Sequence, residues 1–283
     1  MLTSRDTSTD SINTTEYFMP VGDDFPDWMD DHEPILSDHE LVDHHLDEPC
    51  LLLDIPFVPS DEKVIRAMLD LAALERDDLL YDLGCGDGRI VVAAALQKGV
   101  RAIGIDLDPL RIAEAMEYAG NARVEHLVDF IEEDLLEADF SAATVVCLYL
   151  LDSINLQLRP RLQQALRPGT RIVSHTFRMG DWEPDAHIQV DGSNVYQWIV
   201  PAAVAGHWQW EDEQGRTHRL ELEQKHQMLE GHIHIDGQTN TLIESRIDGN
   251  LLDLRWQSNE TGAVSRLRMH HEDGELILLD SEI

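Results

Sequence analysis

The sequence predicts an α/β protein, a doubly wound and mostly parallel sheet with helices on both faces, followed by a smaller antiparallel β region. Three observations carry that prediction. From about residue 51 to 202, short apolar runs alternate with amphipathic stretches at helical spacing, the pattern of a parallel sheet covered by helices. From about 203 to 283, apolar residues alternate singly and are interrupted by Asp236-Gly237, Asp248-Gly249 and Asp273-Gly274, the turn dipeptides of antiparallel hairpins. Between two elements of the first region lies Tyr81-Asp82-Leu83-Gly84-Cys85-Gly86-Asp87-Gly88-Arg89-Ile90, a strand, a glycine-rich turn and a helix start. Such a turn brings backbone close to a ligand, and the helix behind it points free N–H groups at the same place.

Taken in order, Ser60 reads as an N-cap, with Lys63 to Leu74 following at helical spacing. Strands are expected at 79–84, 101–106, 128–134, 144–150 and 171–177, with a last apolar run at 194–200. Helices are expected to fill the gaps, among them Pro109 to Ala119 and Asp152 to Leu166. Asp108-Pro109 opens the first of these, because proline at the first helical position loses no hydrogen bond. Pro168-Gly169 closes the second. Beyond 202, pairs such as Leu220 and Leu222, or Ile233 and Ile235, predict six or so short strands in a small barrel or curved sheet. The histidines scattered through that region read as surface strand positions, and the region itself as an accessory domain for acceptor selection or dimerisation.

Residues 1–50 differ from both regions. They are rich in Asp, Glu, Ser, Thr and His and contain one basic residue, Arg5, so they read as a disordered acidic tail. His32, His39, His44 and His45 have no fixed ligand spacing and read as part of a solvated charge run; no metal site is expected. The domain division is therefore 1–50, 51–202 and 203–283.

Formal net charge is −34, which opposes binding to nucleic acid or to anionic lipid. Lysine occurs only at 63, 98 and 225. Cys50, Cys85 and Cys147 are far apart and form no C-x-x-C pair, so neither a disulfide framework nor a zinc site is indicated. The chain carries no apolar signal core at its start and no apolar run of the length, about 18 residues, that spans a bilayer. A reducing cytoplasm is the expected location.

The spacing of the turn narrows the ligand. A dinucleotide fingerprint, G-x-G-x-x-G, would need glycine at 89, where Arg89 stands; the glycines are Gly84, Gly86 and Gly88, preceded by Asp82. A carboxylate beside the turn suits a ligand bearing positive charge, an ammonium or sulfonium. In Asp82-Leu83-Gly84-Cys85-Gly86-Asp87-Gly88-Arg89 the chain resembles the class I S-adenosylmethionine-dependent methyltransferases, with their Rossmann-like sheet. The resemblance implies S-adenosylmethionine as cofactor and S-adenosylhomocysteine as product. It places Gly84, Cys85, Gly86 and Gly88 at the cofactor. Asp106, ending a strand about twenty residues past the first glycine, sits where a carboxylate reaches a ribose diol, with Leu107 beside it. Asp134, by the same resemblance, accepts the adenine amino proton while Leu135 packs on the ring.

Pro56-Phe57-Val58-Pro59, Leu148-Tyr149-Leu150-Leu151, Asn155 and Leu158-Arg159-Pro160 sharpen the resemblance. Together they are similar to the bacterial relatives of the mitochondrial lysine methyltransferase that acts on the ATP synthase c-subunit. Ser174-His175-Thr176-Phe177 resembles the non-SET histone lysine methyltransferases. Val58-Pro59 is expected as a lid over the methionyl part. Tyr149 either lines the acceptor channel or is a core aromatic. No Asp-Pro-Pro-Tyr or Asn-Pro-Pro-Tyr follows that strand, which argues against base or glutamine methylation. A protein lysine is the favoured acceptor. A small-molecule N- or O-methyltransferase and a non-catalytic cofactor-binding module are the alternatives.

Overall fold

The alternating runs of the first region form a seven-stranded sheet in the computed structural model, which describes residues 57–212, 215–235, 237–258 and 262–282. The expected acidic tail, Cys50 and Pro56 lie outside the described residues. The strands are β1 (Leu79–Leu83), β2 (Arg101–Asp106), β3 (Val128–Glu132), β4 (Val145–Leu148), β5 (Arg171–His175), β6 (Ala186–Val190) and β7 (Ser193–Ile199), in the order β3-β2-β1-β4-β5-β7-β6. The first five are parallel, and β7 enters antiparallel between β5 and β6. Chain order reverses at β1 and β4, the switch point outside whose carboxyl ends ligands bind in such sheets.

Helices α1 (Glu62–Leu71), α2 (Arg89–Lys98) and α3 (Pro109–Ala122) share a core with Leu80, Ala102, Val145 and Val173 on one face of the sheet. Helix α4 (Asp152–Ala165) packs with Tyr81, Leu83, Val146 and Ile172 on the other. Neighbouring strand residues thus feed opposite cores, as a pleat with period two requires. Helix α2 is buried from Ile90 through Ala95, lying between the sheet and its neighbours, which is why its sequence lacks a polar face in that stretch.

Several expectations need correction. Asp61, not Ser60, caps α1, its side chain accepting the Lys63 N–H at 2.8 Å; the Ser60 hydroxyl is turned inward. No helix fills the gap between β3 and β4, because Asp134 and Asp139 each bind a backbone N–H two residues on and fold it into turns. The 194–200 run is not the sheet's edge: with β6 it makes a hairpin, and β6 is the edge strand.

The second region is an eight-stranded antiparallel sheet: β8 (Gly206–Glu211), β9 (Thr217–Lys225), β10 (Met228–Ile235), β11 (Gln238–Thr241), β12 (Ser245–Asp248), β13 (Leu251–Gln257), β14 (Val264–Glu272) and β15 (Glu275–Glu282). Asp273 and Gly274 both take positive φ, 52° and 81°, as a two-residue hairpin with right-handed strand twist demands. The strand order runs from β15 to β8 with no pairing between these two among the described residues, so the sheet is open rather than a closed barrel. Trp208 of β8 meets His271 of β14 edge-on at 6.0 Å, and Leu220, Ile233, Leu254 and Leu267 belong to the region's core.

The turn between β9 and β10 docks this sheet on the first. His226 stacks on Trp182 at 5.6 Å and bonds Gln163 at 2.8 Å, Gln227 donates to the Glu183 carbonyl at 2.7 Å, and Arg246 pairs with Asp185 at 2.5 Å. Among the described residues no helix is long and apolar enough to cross a membrane.

Candidate cofactor site

The glycine turn leaves β1 and is held to β2. The N–H groups of Gly84 and Cys85 donate to the Ile105 carbonyl, and the Gly86 N–H donates to Asp106 Oδ2 at 2.9 Å. Asp106 Oδ1 accepts the Asp108 N–H at 3.0 Å, so both carboxylate oxygens are fixed at the tip of β2. Gly86 has φ +51°, and a Cβ there would fall 2.3 Å from the Phe57 ring. Gly88, at φ +78°, begins α2; a Cβ there would lie 2.8 Å from both Ala115 and Phe130. Gly88 therefore lets helix and sheet approach, the task that the third glycine performs in a dinucleotide turn. Arg89, standing where that glycine would be, grips Asp87 with two nitrogens, Nε at 3.0 Å and Nη2 at 2.6 Å.

The site is electronegative at its base. Asp82 is only 2 % exposed, and burial, reinforced by Asp106 and Asp87, holds its carboxyl well above the usual range. The Cys85 thiol is pushed up by burial and by the same three carboxylates, and that of Cys147 by burial and Asp82. Both cysteines are thus neutral small hydrophobes rather than nucleophiles. A cationic ligand relieves the crowding of Asp82, Asp87 and Asp106; an anionic one would aggravate it.

On the far wall, Tyr149 follows β4 and stacks on His175, centroids 3.9 Å apart and planes at 28°. Phe177 lies 6.1 Å from the same ring. Between His175 and Phe177, Thr176 is held at φ +65°, a costly conformation for a β-branched residue. That turn brings both His175 and Phe177 against the Tyr149 ring.

Val58, Pro59, Asp82, Gly84, Cys85, Gly86, Asp106, Leu107, Leu135 and Tyr149 all line one pocket at the carboxyl ends of β1, β2 and β4. Two residues singled out from the sequence lie off it. Gly88 packs α2, and Asp134 accepts the Leu136 N–H at 2.8 Å beside the lining residue Leu135. Phe57, Ser60, Asp87, Arg89, Arg111 and Leu150 line the pocket as well. Phe57 was visible in the sequence as part of the Pro56-to-Pro59 run and Arg89 as the residue interrupting the glycine pattern. Nothing local marked Ser60 or Arg111.

The donor set fits S-adenosylmethionine: backbone stripped of Cβ at Gly84 and Gly86, a fixed carboxylate at Asp106, and at the base the buried carboxyl of Asp82, which a cationic ligand would favour in its ionised form. Sheet order and turn together define a class I S-adenosylmethionine-dependent methyltransferase. Residues 82–186 match the family model of the ANTKMT methyltransferase domain. The chain is 40% identical over 151 residues to the protein-lysine N-methyltransferase of Saccharolobus islandicus (strain REY15A), covering 52% of this chain and 94% of that protein. It is 33% identical over 149 residues to the human ATP synthase c-subunit lysine N-methyltransferase, covering 53% of this chain but 62% of that protein. A solved structure described as an RNA methyltransferase from Salinibacter ruber, in complex with S-adenosyl-L-homocysteine, is 49% identical with a TM-score of 0.51. That likeness covers 52% of this chain and 96% of the other. The chain belongs to the family of S-adenosylmethionine-dependent methyltransferases that these relatives represent.

Proposed function

We propose that this enzyme transfers a methyl group from S-adenosylmethionine to the ε-amine of a protein lysine. The observation that carries the reading is the 40% identity to a protein-lysine N-methyltransferase across 94% of that protein's length. The far wall of the pocket supports it. Tyr149 lines the pocket with aromatic surface, backed by the buried rings of His175 and Phe177; such a face attracts an alkylammonium and strips water from the amine as it loses its proton.

The cofactor supplies a methyl already activated on a sulfonium, so the protein's contribution is alignment and exclusion of water. Gly84 and Gly86 admit the cofactor against the backbone, Asp106 takes the ribose diol, and Asp82 with Cys85 forms the base of the pocket. Leu107 and Leu135 pack on the adenine, and Asp134 accepts its amino proton. Val58 and Pro59 cover the methionyl end, and Tyr149 lines the approach of the acceptor. In this reading residues 51–202 form the catalytic domain, and 203–283 an accessory domain that selects the acceptor or mediates dimerisation. We place the enzyme in the cytoplasm, on the support of the buried free thiols of Cys85 and Cys147.

The description of the Salinibacter relative raises RNA as a second acceptor. Charge weighs against it: the chain carries −34, and its three lysines, Lys63, Lys98 and Lys225, are paired with Asp191, Asp70 and Asp181. A net charge of this sign repels a polyanion. Incubating the enzyme with methyl-labelled S-adenosylmethionine and separate protein and RNA fractions decides between them. Label in protein, recovered as methyllysine after hydrolysis, is expected. Label in RNA would transfer the reading to the second acceptor, and label in neither would favour a small molecule.

A further inference from the structure

The short segment Phe57–Ser60 lines the pocket before α1 begins, and its hydrogen-bonded anchor is Ser60. Ser60 is 3 % exposed, and α1 does not use its hydroxyl, since Asp61 caps that helix. Instead Ser60 is tethered on two sides. Its carbonyl accepts from Arg89 Nη1 at 2.9 Å, and Arg89 is itself clamped to Asp87 in the glycine turn. Its Oγ makes a 3.1 Å hydrogen bond with Nδ1 of His175, at the end of β5, whose ring carries Tyr149 on its face. One tether therefore reaches the cofactor wall of the pocket and the other the acceptor wall.

Three residues earlier the Phe57 ring lies on Gly86, where ligand and backbone meet, and Arg111 stacks on that ring, its guanidinium carbon 4.3 Å from the centroid. Pro59 has a fixed φ, which stiffens the link between Phe57 and Ser60. Loosening Ser60 therefore leaves the segment held over the pocket by the Phe57 contacts alone.

We propose that the hydrogen bond between Ser60 and His175 is a latch that holds the Phe57–Ser60 segment closed over the bound cofactor, making both of them positioning residues that set how fast cofactor and product leave. The inference rests on the assignment of this pocket to S-adenosylmethionine. A bound molecule under the segment leaves only when the segment lifts, and lifting breaks this bond. The role follows from no motif: Ser60 and His175 are 115 positions apart.

The test is the dissociation rate of labelled S-adenosylhomocysteine, chased with unlabelled ligand, from the full chain and three variants. Ser60→Ala removes the hydroxyl. His175→Phe keeps an aromatic ring against Tyr149 and removes the nitrogen, and it reads the same bond from the other side should Ser60→Ala not fold. Each single variant is expected to release ligand about fivefold faster, the scale of one net hydrogen bond expressed in an off-rate. The double variant is expected to release it no faster than the faster single, because both changes delete one interaction. Off-rates within about twofold of the parent in either folded single variant, or a double variant whose effect is the product of the two, would overturn the latch. Failure of the parent chain to bind at all would instead overturn the cofactor assignment, and the latch with it.

Discussion

The two sheets of this protein obey local rules to different degrees. In the antiparallel sheet, burial alternates along β9 and β13, hairpins turn on Asp-Gly and Gly-Asn, and the acid Asp253 is drawn down to about 2 by its bond to Arg266 and its neighbour Arg255. In the parallel sheet, several departures from such rules meet at the carboxyl ends of β1 and β5. Asp82 is buried with its carboxyl raised, Thr176 sits at positive φ, and three glycines in five residues take left-handed conformations. Sequences that otherwise agree with their fold break the rules where a ligand must be met. The cluster of glycines, buried carboxylate and strained threonine coincides with the pocket at the carboxyl ends of the strands.

Gly86→Val breaks the contrast most completely. A β-branched side chain at φ +51°, pressed into Phe57, is expected to abolish cofactor binding by calorimetry while leaving the antiparallel sheet's circular dichroism in place. Retained binding would remove the turn from the site. Trp182→Ala strikes the seam between the sheets: Trp182 is fully buried and stacks on His226, so a loss of about 3–5 kcal/mol in denaturant unfolding is expected. A loss below about 1 kcal/mol would mean that the seam is not an energetic contact. Asp106→Ala should weaken cofactor binding by about 1.5–3 kcal/mol, and it should also cost some stability, since its oxygens hold the Gly86 and Asp108 N–H groups as well as the ligand.

The two aspartates sharpen the contrast in sign. Asp82 has a raised carboxyl, so its contribution favours the fold most at low pH and is lost as pH rises through its folded value. A cationic ligand stabilises the carboxylate. Cofactor affinity should therefore rise with pH and binding should release a proton, seen as a dependence of binding heat on the buffer's ionisation enthalpy. Asp253 behaves oppositely: its contribution is present above the ordinary carboxylate value of 3.8 and disappears as pH falls from there to about 2. Asp253→Asn should flatten that acid limb slightly, the smallest effect here, because the Asp253 side chain is 25% exposed.

Much of this was legible in the residues. The parallel strands, the Asp273-Gly274 turn and the sequence from Asp82 to Arg89 fall where apolar periodicity and glycine spacing put them, while the turn expected at Asp248-Gly249 falls one residue later, at Gly249-Asn250, and Asp236 lies outside the described residues. What was missed depended on partners distant in sequence. Ser60 looks like a cap, and only the fold brings it to His175 and leaves the capping to Asp61. Strand β6 alternates half-buried with exposed residues as an edge strand does, too weakly to stand out from a loop. The gap after β3 has a helix-like composition, but Asx turns at Asp134 and Asp139 win locally. Asp134 shows the same competition beside the pocket, one oxygen already engaged by the chain.

The most direct measurement is a calorimetric titration of the full chain with S-adenosylmethionine and S-adenosylhomocysteine, alongside Gly86→Val. Saturable binding of both at a single site, lost in the variant, is the predicted result. A folded parent chain that binds neither, or a variant that binds as well as the parent, would contradict the placement of the cofactor over the glycine turn.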